Sequence, residues 1–237
     1  MLLLLAHPSP LMKLSSISSS PLYNPTNVSV TFSVLSSPSL SGRGSYLGVA
    51  TSYLNSLAEG DTVHVSIRPS HAGFSLPSNP ETIPLLCIAA GTGIAPFRSF
   101  FQERASMISS GRTLAPAILF FGCRAPGIDD LYREEMDAWE KAGVVKVRRS
   151  YSRKPEESNG CKYVQDKMWK DREVVAKYWE DGAKVYVCGS RAIADGAKTM
   201  FLKIKSTMED QKQLDEAAAE KWFTSLRNIR YVTDVFD

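Results

Sequence analysis

The feature that most restricts this chain begins near residue 82. A continuous apolar run, Ile83-Pro-Leu-Leu-Cys-Ile-Ala-Ala90, is followed by a helical pattern over 95–109 with Phe97, Phe100, Phe101 and Ala105 at helix spacing. A strand apolar on both faces is one covered on both sides, which is the condition of a parallel sheet. The pairing then repeats: 117–123 reads as strand, 129–143 as helix, 144–150 as strand, 164–180 as helix and 184–188 as strand. Helical stretches over 191–207 and 213–227 precede a last extended piece, 230–236. Strands alternating with helices of this length predict a doubly wound α/β domain with a parallel sheet over residues 81–237.

Residues 1–80 read differently. The stretches 28–34 and 62–68 alternate apolar and polar residues, as half-buried strands do, and clusters of Pro, Ser and Gly separate them. Between them, 48–54 is a short helical pattern opening on a glycine. The pattern predicts a small antiparallel β domain whose three or four strands are too few to close a barrel. The opening Met1-Leu-Leu-Leu-Leu-Ala6 lacks a basic flank and is stopped by His7-Pro8, so it makes a poor signal peptide. No run reaches the roughly 18 apolar residues of a membrane span, and a cytoplasmic location is expected. Lys+Arg 28 against Asp+Glu 25 leaves a net charge of +3, too weak a bias for a general affinity for nucleic acid or membranes. The four cysteines, at 87, 123, 161 and 188, contain no C-x-x-C pair, so neither a zinc site nor a disulfide framework is expected.

The residues with chemical potential sit where strands end. Gly91-Thr92-Gly93-Ile94-Ala95-Pro96-Phe97 joins the first buried strand to its helix. Two glycines let backbone approach a ligand, the helix start offers unpaired N–H groups to an anion, and Pro96 suits a first turn. Because Pro96 stands where a third glycine would complete a dinucleotide fingerprint, a tight turn without ligand explains the stretch equally well. The second strand ends in Phe121-Gly122-Cys123-Arg124, with arginine where an NAD site carries an acidic residue. The third ends in Ser150-Tyr151-Ser152-Arg153-Lys154, followed by Cys161-Lys162-Tyr163-Val164-Gln165. A hydroxyl, several cations and a phenol near one strand edge suit a phosphate monoester beside a purine; scattered surface charge is the plainer alternative. The fourth strand ends in Cys188-Gly189-Ser190-Arg191, and a small buried core residue is the plain reading of Cys188.

In order and spacing, several stretches resemble the NADP-binding domain of the ferredoxin–NADP reductase superfamily, in its diflavin reductase branch. They are Gly91–Phe97 with Gln102-Glu103-Arg104, Phe120–Arg124 with Asp130–Glu134, Tyr151-Ser-Arg153, Tyr163-Val-Gln165, Val187-Cys-Gly189, Arg230-Tyr231 and Asp234-Val-Phe236. Within that branch the chain is similar to NADPH–cytochrome P-450 reductase, and closest to the reductase half of fungal self-sufficient fatty-acid hydroxylases. The resemblance extends back to Ser16. It implies that Gly91 and Gly93 shape the turn at the cofactor and that Thr92 faces the cofactor near its nicotinamide and pyrophosphate. It implies too that Arg124 holds a phosphate, while Ser152, Arg153, Tyr163 and Gln165 hold the 2′-phosphate and adenine. The family's lysine two residues before the tyrosine is Cys161 here, and Lys162, one position later, would reach the same phosphate.

For FAD, the family's Arg-x-Tyr-Ser corresponds to Lys13-Leu14-Ser15-Ser16. Lysine keeps the charge but not the bidentate fork, and Ser15 lacks the aromatic face. Gly48-Val49-Ala50-Thr51 matches a second FAD element, a helix start that takes the pyrophosphate. Phe236 matches the terminal aromatic that stacks on the isoalloxazine and moves aside for nicotinamide. Ser16, Cys188 and Asp234 match the residues lining the hydride-transfer site. The implied cofactors are FAD and NADP(H), with FMN and haem on domains this chain lacks. The implied partners are NADPH, an FMN-binding domain and cytochrome P-450. A complete enzyme of this kind has an FMN domain and a connecting domain ahead of these strands, so the chain reads as a fragment. Residues 1–80 would then be part of an FAD-binding β-barrel domain with a truncated N-terminus. The reductase part of a sulfite reductase or nitric oxide synthase, and a truncated NADP-binding module without flavin or catalysis, remain open beside this reading.

Overall fold

The computed structural model describes residues 2–6, 13–68, 73–208 and 216–236. Its first elements are strands β1 (Leu2–Ala6), β2 (Lys13–Ser16), β3 (Ser36–Pro38) and β4 (Ser45–Leu47), helix α1 (Val49–Ser56) and strand β5 (His64–Arg68). There follow β6 (Leu85–Ala90), α2 (Ala95–Ser109), β7 (Ala117–Cys123), α3 (Arg133–Lys141), β8 (Lys146–Tyr151), α4 (Val164–Lys170) and α5 (Arg172–Glu180). The chain continues through β9 (Lys184–Gly189), α6 (Arg191–Met208), α7 (Glu216–Leu226) and β10 (Tyr231–Val235).

Strands β6 to β10 form one five-stranded parallel sheet in the order β10-β9-β6-β7-β8. The chain winds outward from β6 to β8, then returns to the other side of β6 for β9 and β10. The reversal falls between β6 and β9, and in open α/β sheets the crevice for ligands lies at such a point, beyond the carboxyl ends of the strands. The continuous apolar run of β6 follows from its position. Leu85, Cys87 and Ala89 face a core with Phe97, Phe101 and Leu119, and Leu86 and Ile88 face a second with Phe120, Val164 and Phe201. Alternate residues therefore serve two cores, and each large side chain so buried is worth roughly 1.5–3 kcal/mol.

Two helices differ from the sequence reading. The expected helix over 129–143 begins only at Arg133, because Asp129 is engaged in the preceding loop and Tyr132 takes a left-handed conformation at φ 58°. The expected single helix over 164–180 breaks at Asp171, whose carboxylate lies 3.3 Å from Arg148 and 3.6 Å from Lys167. For the stretch 213–227, residues 213–215 lie outside the described residues.

In the N-terminal part, β1 lies between β2 and β5, antiparallel to both, and β3 pairs with β4. The apolar opening thus supplies a central strand. The strand expected over 28–34 does not form: Val30 makes a single bridge with Ile17, and the Ser18 N–H donates to the Ser29 carbonyl at 2.8 Å. Among the described residues the segment has no further strand partner, and Thr31 hydrogen-bonds the Tyr132 hydroxyl instead. Polar clasps hold this part to the α/β domain. Arg98, on α2, donates to the Ser18 carbonyl at 2.9 Å and to both oxygens of Glu135 at 2.8 and 2.9 Å, with its guanidinium over the Tyr132 ring. The Ser20 N–H donates to Gln102 Oε1 at 2.9 Å. Among the described residues no helix is long and apolar enough to cross a membrane.

Candidate functional site

The carboxyl ends of β6, β7 and β8 open onto one cavity of about 380 Å³, lined by Gly91, Thr92, Arg124, Asp129, Ser152, Lys162, Tyr163 and Phe236 among others. The turn after β6 depends on its glycines. Gly91 has φ +54°, in the left-handed region. Gly93 is buried, and a Cβ there would lie 2.7 Å from the carbonyl carbon of Cys188. Gly93 therefore does not line the cavity as expected; it lets the turn seat against the end of β9.

Beyond β7 and β8 the backbones stay paired. The Ser152 N–H donates to the Cys123 carbonyl at 2.9 Å and the Arg153 N–H to the Arg124 carbonyl at 2.8 Å. This pairing sets Arg124 and Ser152 side by side at the cavity. The Arg124 side chain is 52% exposed, and its Nε donates to Asp129 Oδ2 at 2.7 Å. Lys162 Nζ lies 5.3 Å from the centre of the exposed Tyr163 ring. Tyr163 is held by its own N–H, which donates to Asp166 Oδ2 at 2.8 Å at the start of α4. Two residues expected beside these stand apart from the cavity lining. Arg153 is exposed and is not among the residues lining the cavity. Gln165 packs against α6, where a Cβ on Gly196 would meet its Nε2 at 3.3 Å, and its buried Oε1 has no partner among the described residues.

A second cluster forms where β9 and β10 end. Asp234 pairs in register with Cys188, and Ser16 Oγ donates to Asp234 Oδ2 at 3.3 Å across 218 residues of sequence. Burial raises the pKa of Asp234, and the Ser16 hydrogen bond opposes that rise. Cys188 has no accessible surface; burial, reinforced by Asp234, pushes its thiol well up, so it stands as a neutral thiol. The Phe236 N–H donates to the Gly189 carbonyl at 3.1 Å, and its ring, 40% exposed, reaches the cavity.

The third expected group is at α1. Gly48 is its N-cap and makes no side-chain cap, so among the described residues the N–H groups of Val49 and Ala50 have no partner and are open to an anion. The Thr51 hydroxyl is not: it is buried, donates to the Gly48 carbonyl at 3.2 Å and accepts from the Leu35 N–H at 3.2 Å. Ser15 is part-buried in β2, and the side chain of Lys13 lies outside the described residues.

Sequence reasoning missed Asp129, which lines the cavity, and Cys123, whose thiol burial raises to about 12. A carboxylate five residues after a strand-end arginine was the available signal for Asp129. Among the described residues, the terminal guanidinium nitrogens of Arg124 and the ammonium of Lys162 take no hydrogen-bond or ion-pair partner. Two cations with free donors, a hydroxyl and an exposed phenol around one cavity fit a phosphorylated purine nucleotide.

A family model for the oxidoreductase NAD-binding domain matches residues 87–199. The chain is 52% identical over 224 residues to a bifunctional cytochrome P450/NADPH–P450 reductase of Fusarium oxysporum, covering 94% of this chain and 21% of that protein. It is 45% identical over 224 residues to a self-sufficient cytochrome P450 monooxygenase of Exserohilum turcicum, covering 94% and 21% respectively. One from Oidiodendron maius is 46% identical over 223 residues, covering 93% and 21%. The chain spans about a fifth of the length of these curated relatives. These matches bear out the resemblance read from the strand-end motifs.

Proposed function

We propose that this chain is the NADPH-dependent reductase module of a fused cytochrome P-450 system, a reading supported by the match of residues 87–199 to the oxidoreductase NAD-binding domain. In this reading residues 81–237 bind NADPH, and residues 1–80 are part of an antiparallel barrel that holds FAD. When bound, NADPH supplies a hydride at its nicotinamide and FAD accepts it, with FMN and a P-450 haem downstream on domains outside this chain. The observation that carries the reading is the meeting of Arg124, Ser152, Lys162 and Tyr163 in one cavity that ends at Phe236.

Arg124, Lys162 and Ser152 hold the 2′-phosphate. Tyr163 offers its ring face to adenine. The backbone at Gly91 and Thr92 takes the pyrophosphate. Asp234, partly buried and steadied by Ser16, places a carboxylate where positive charge grows on nicotinamide. Cys188, buried and neutral, backs Asp234 from the paired strand, and Phe236 covers the nicotinamide end of the cavity. The N–H groups at the start of α1 are the FAD pyrophosphate donors.

Calorimetry with 2′-phospho-AMP and 5′-AMP tests the phosphate assignment. Arg124→Ala should weaken 2′-phospho-AMP by about 1.5–3 kcal/mol, the worth of hydrogen bonds to a charged group, and leave 5′-AMP unchanged. Equal binding of the two nucleotides by the parent chain would overturn the reading. For the reductase activity, NADPH-driven reduction of ferricyanide in the presence of added FAD is the expected result.

A further inference from the structure

Asp129 and Asp130 are adjacent carboxylates that face opposite ways. Asp130 points inward: its side chain has no accessible surface and accepts from Arg149 Nε at 3.1 Å, Arg133 Nη1 at 3.1 Å and the Tyr151 hydroxyl at 3.3 Å. This buried network fixes the backbone at that point, and Asp129 is left facing the cavity. Its Oδ1 accepts the Arg124 N–H at 2.7 Å and the Ala125 N–H at 3.3 Å, while Oδ2 accepts Arg124 Nε at 2.7 Å. Burial alone would raise the Asp129 carboxyl, but these bonds hold it below its ordinary value, so it is ionised at neutral pH.

A guanidinium is a planar fork of five donors. A carboxylate bound at Nε restricts the guanidinium's orientation and leaves its end edge, one N–H from each terminal nitrogen, open to another acceptor. In Arg124 those nitrogens have no other partner among the described residues. We propose that Asp129 is the positioning residue that aims Arg124, holding its two terminal nitrogens ready for a phosphate in the cavity. This proposal rests on the nucleotide reading of that cavity. Asp129 also brings a negative charge beside the phosphate, so charge and aim pull in opposite directions. If charge alone mattered, removing the carboxylate would strengthen phosphate binding. If aim dominates, the same change weakens it, because a freed arginine must give up rotamer freedom each time it binds.

The experiment is calorimetry on the full chain with 2′-phospho-AMP and 5′-AMP. Asp129→Asn should weaken 2′-phospho-AMP by roughly 3- to 10-fold despite making the pocket more positive, with 5′-AMP unmoved, in keeping with a coupled pair. Asp129→Glu, which keeps the charge but displaces it, should weaken it as well. In a chain already carrying Arg124→Ala, Asp129→Asn should no longer weaken 2′-phospho-AMP, and should leave it unchanged or tighter, since nothing remains to be aimed and only the charge effect is left. Loop damage without aiming would lower both nucleotides alike, or persist in the Arg124→Ala background, and would overturn the proposal. Unchanged or tighter binding by both Asp129 variants would overturn it too, while the parent's preference for 2′-phospho-AMP left the pocket reading standing. A parent that binds both nucleotides equally would overturn the pocket reading and this proposal with it.

Discussion

Strands β5 and β6 follow one another and are both rich in branched apolar residues, yet they end in opposite environments. Every residue of β5 is exposed, with Val65 at 51% and Ile67 at 50%, whereas Leu85, Leu86, Cys87, Ile88 and Ala89 of β6 have no accessible surface. The difference is one of neighbours. β6 is paired on both edges, by β7 and β9, and has a core on each face. β5 pairs with β1 on one edge, and the core near it consists of Ile17 with Val30, Leu54 and Val63 packed against it. Leu40, Tyr46, Leu47 and Val49 are exposed in the same half of the molecule. Apolar character marks what a segment can bury; the elements around it decide whether it does. The α/β half builds its own core; the β half is tied to it by hydrogen bonds and the Arg98 clasp, and Phe74, between β5 and β6, packs into that core.

The largest expected effect tests that contrast directly. Ile88→Ala should cost about 2–5 kcal/mol, the range for removing a fully packed aliphatic side chain. Ile67→Ala, on β5, should stay within about 0.5 kcal/mol. Urea unfolding of the two variants measures both. A β5 variant as costly as the β6 one would mean that the face carrying Ile67 is covered in the folded protein.

An intermediate effect is expected from the clasp. Arg98→Ala removes donors from the Ser18 carbonyl and from Glu135. It should lower the local opening free energy of residues 18–31 by about 1–3 kcal/mol, the cost of leaving such groups unsatisfied, and leave the parallel sheet as it was. Hydrogen exchange reads this through the Ser18 and Ser20 amides against those of β6 and β7. Equal acceleration in both halves would show that they open as one unit.

The same contrast separates what was legible in the sequence from what was not. α2 and β7 lie at the bounds their patterns predict, because each is periodic and buried by neighbours close in sequence. The stretch 28–34 alternates as well as any strand, but its structure depended on a partner edge that the alternation does not encode. Of the site, Thr92, Arg124, Ser152, Lys162 and Tyr163 were legible because each follows a strand end, and parallel strands bring their ends together. Gln165 was not, since its direction depends on the space that Gly196 leaves on α6. Nor was Asp129, because an aspartate ahead of a helical pattern looks the same whether it starts the helix or ties back a loop. The pairing of Ser16 with Asp234 joins positions 218 residues apart, and only the family resemblance had placed both at one site.

That pairing gives the smallest effect and the finest test, because it crosses from one half of the molecule to the other. Burial raises the Asp234 carboxyl above its ordinary value, while the Ser16 hydroxyl favours the ionised form. Ser16→Ala removes that donor, so the Asp234 titration midpoint should move further up, as followed by carboxyl-carbon NMR. The sign of the linked stability is fixed by the same shift. With its folded value above the unfolded one, Asp234 binds its proton more tightly when folded. Its contribution therefore grows more favourable as pH falls from above the folded value to below the unfolded one. Asp129, whose folded value is lowered, behaves oppositely: it stabilises above its unfolded value and loses that effect as pH falls through its folded one. Ser16→Ala should thus deepen the acid-side gain attributed to Asp234 without touching the loss attributed to Asp129. If the clasp at Arg98 is what sets Ser16 against Asp234, then Arg98→Ala should raise the same midpoint in the same direction. An Asp234 midpoint unmoved by both variants would mean that the two halves touch at the site without being coupled there.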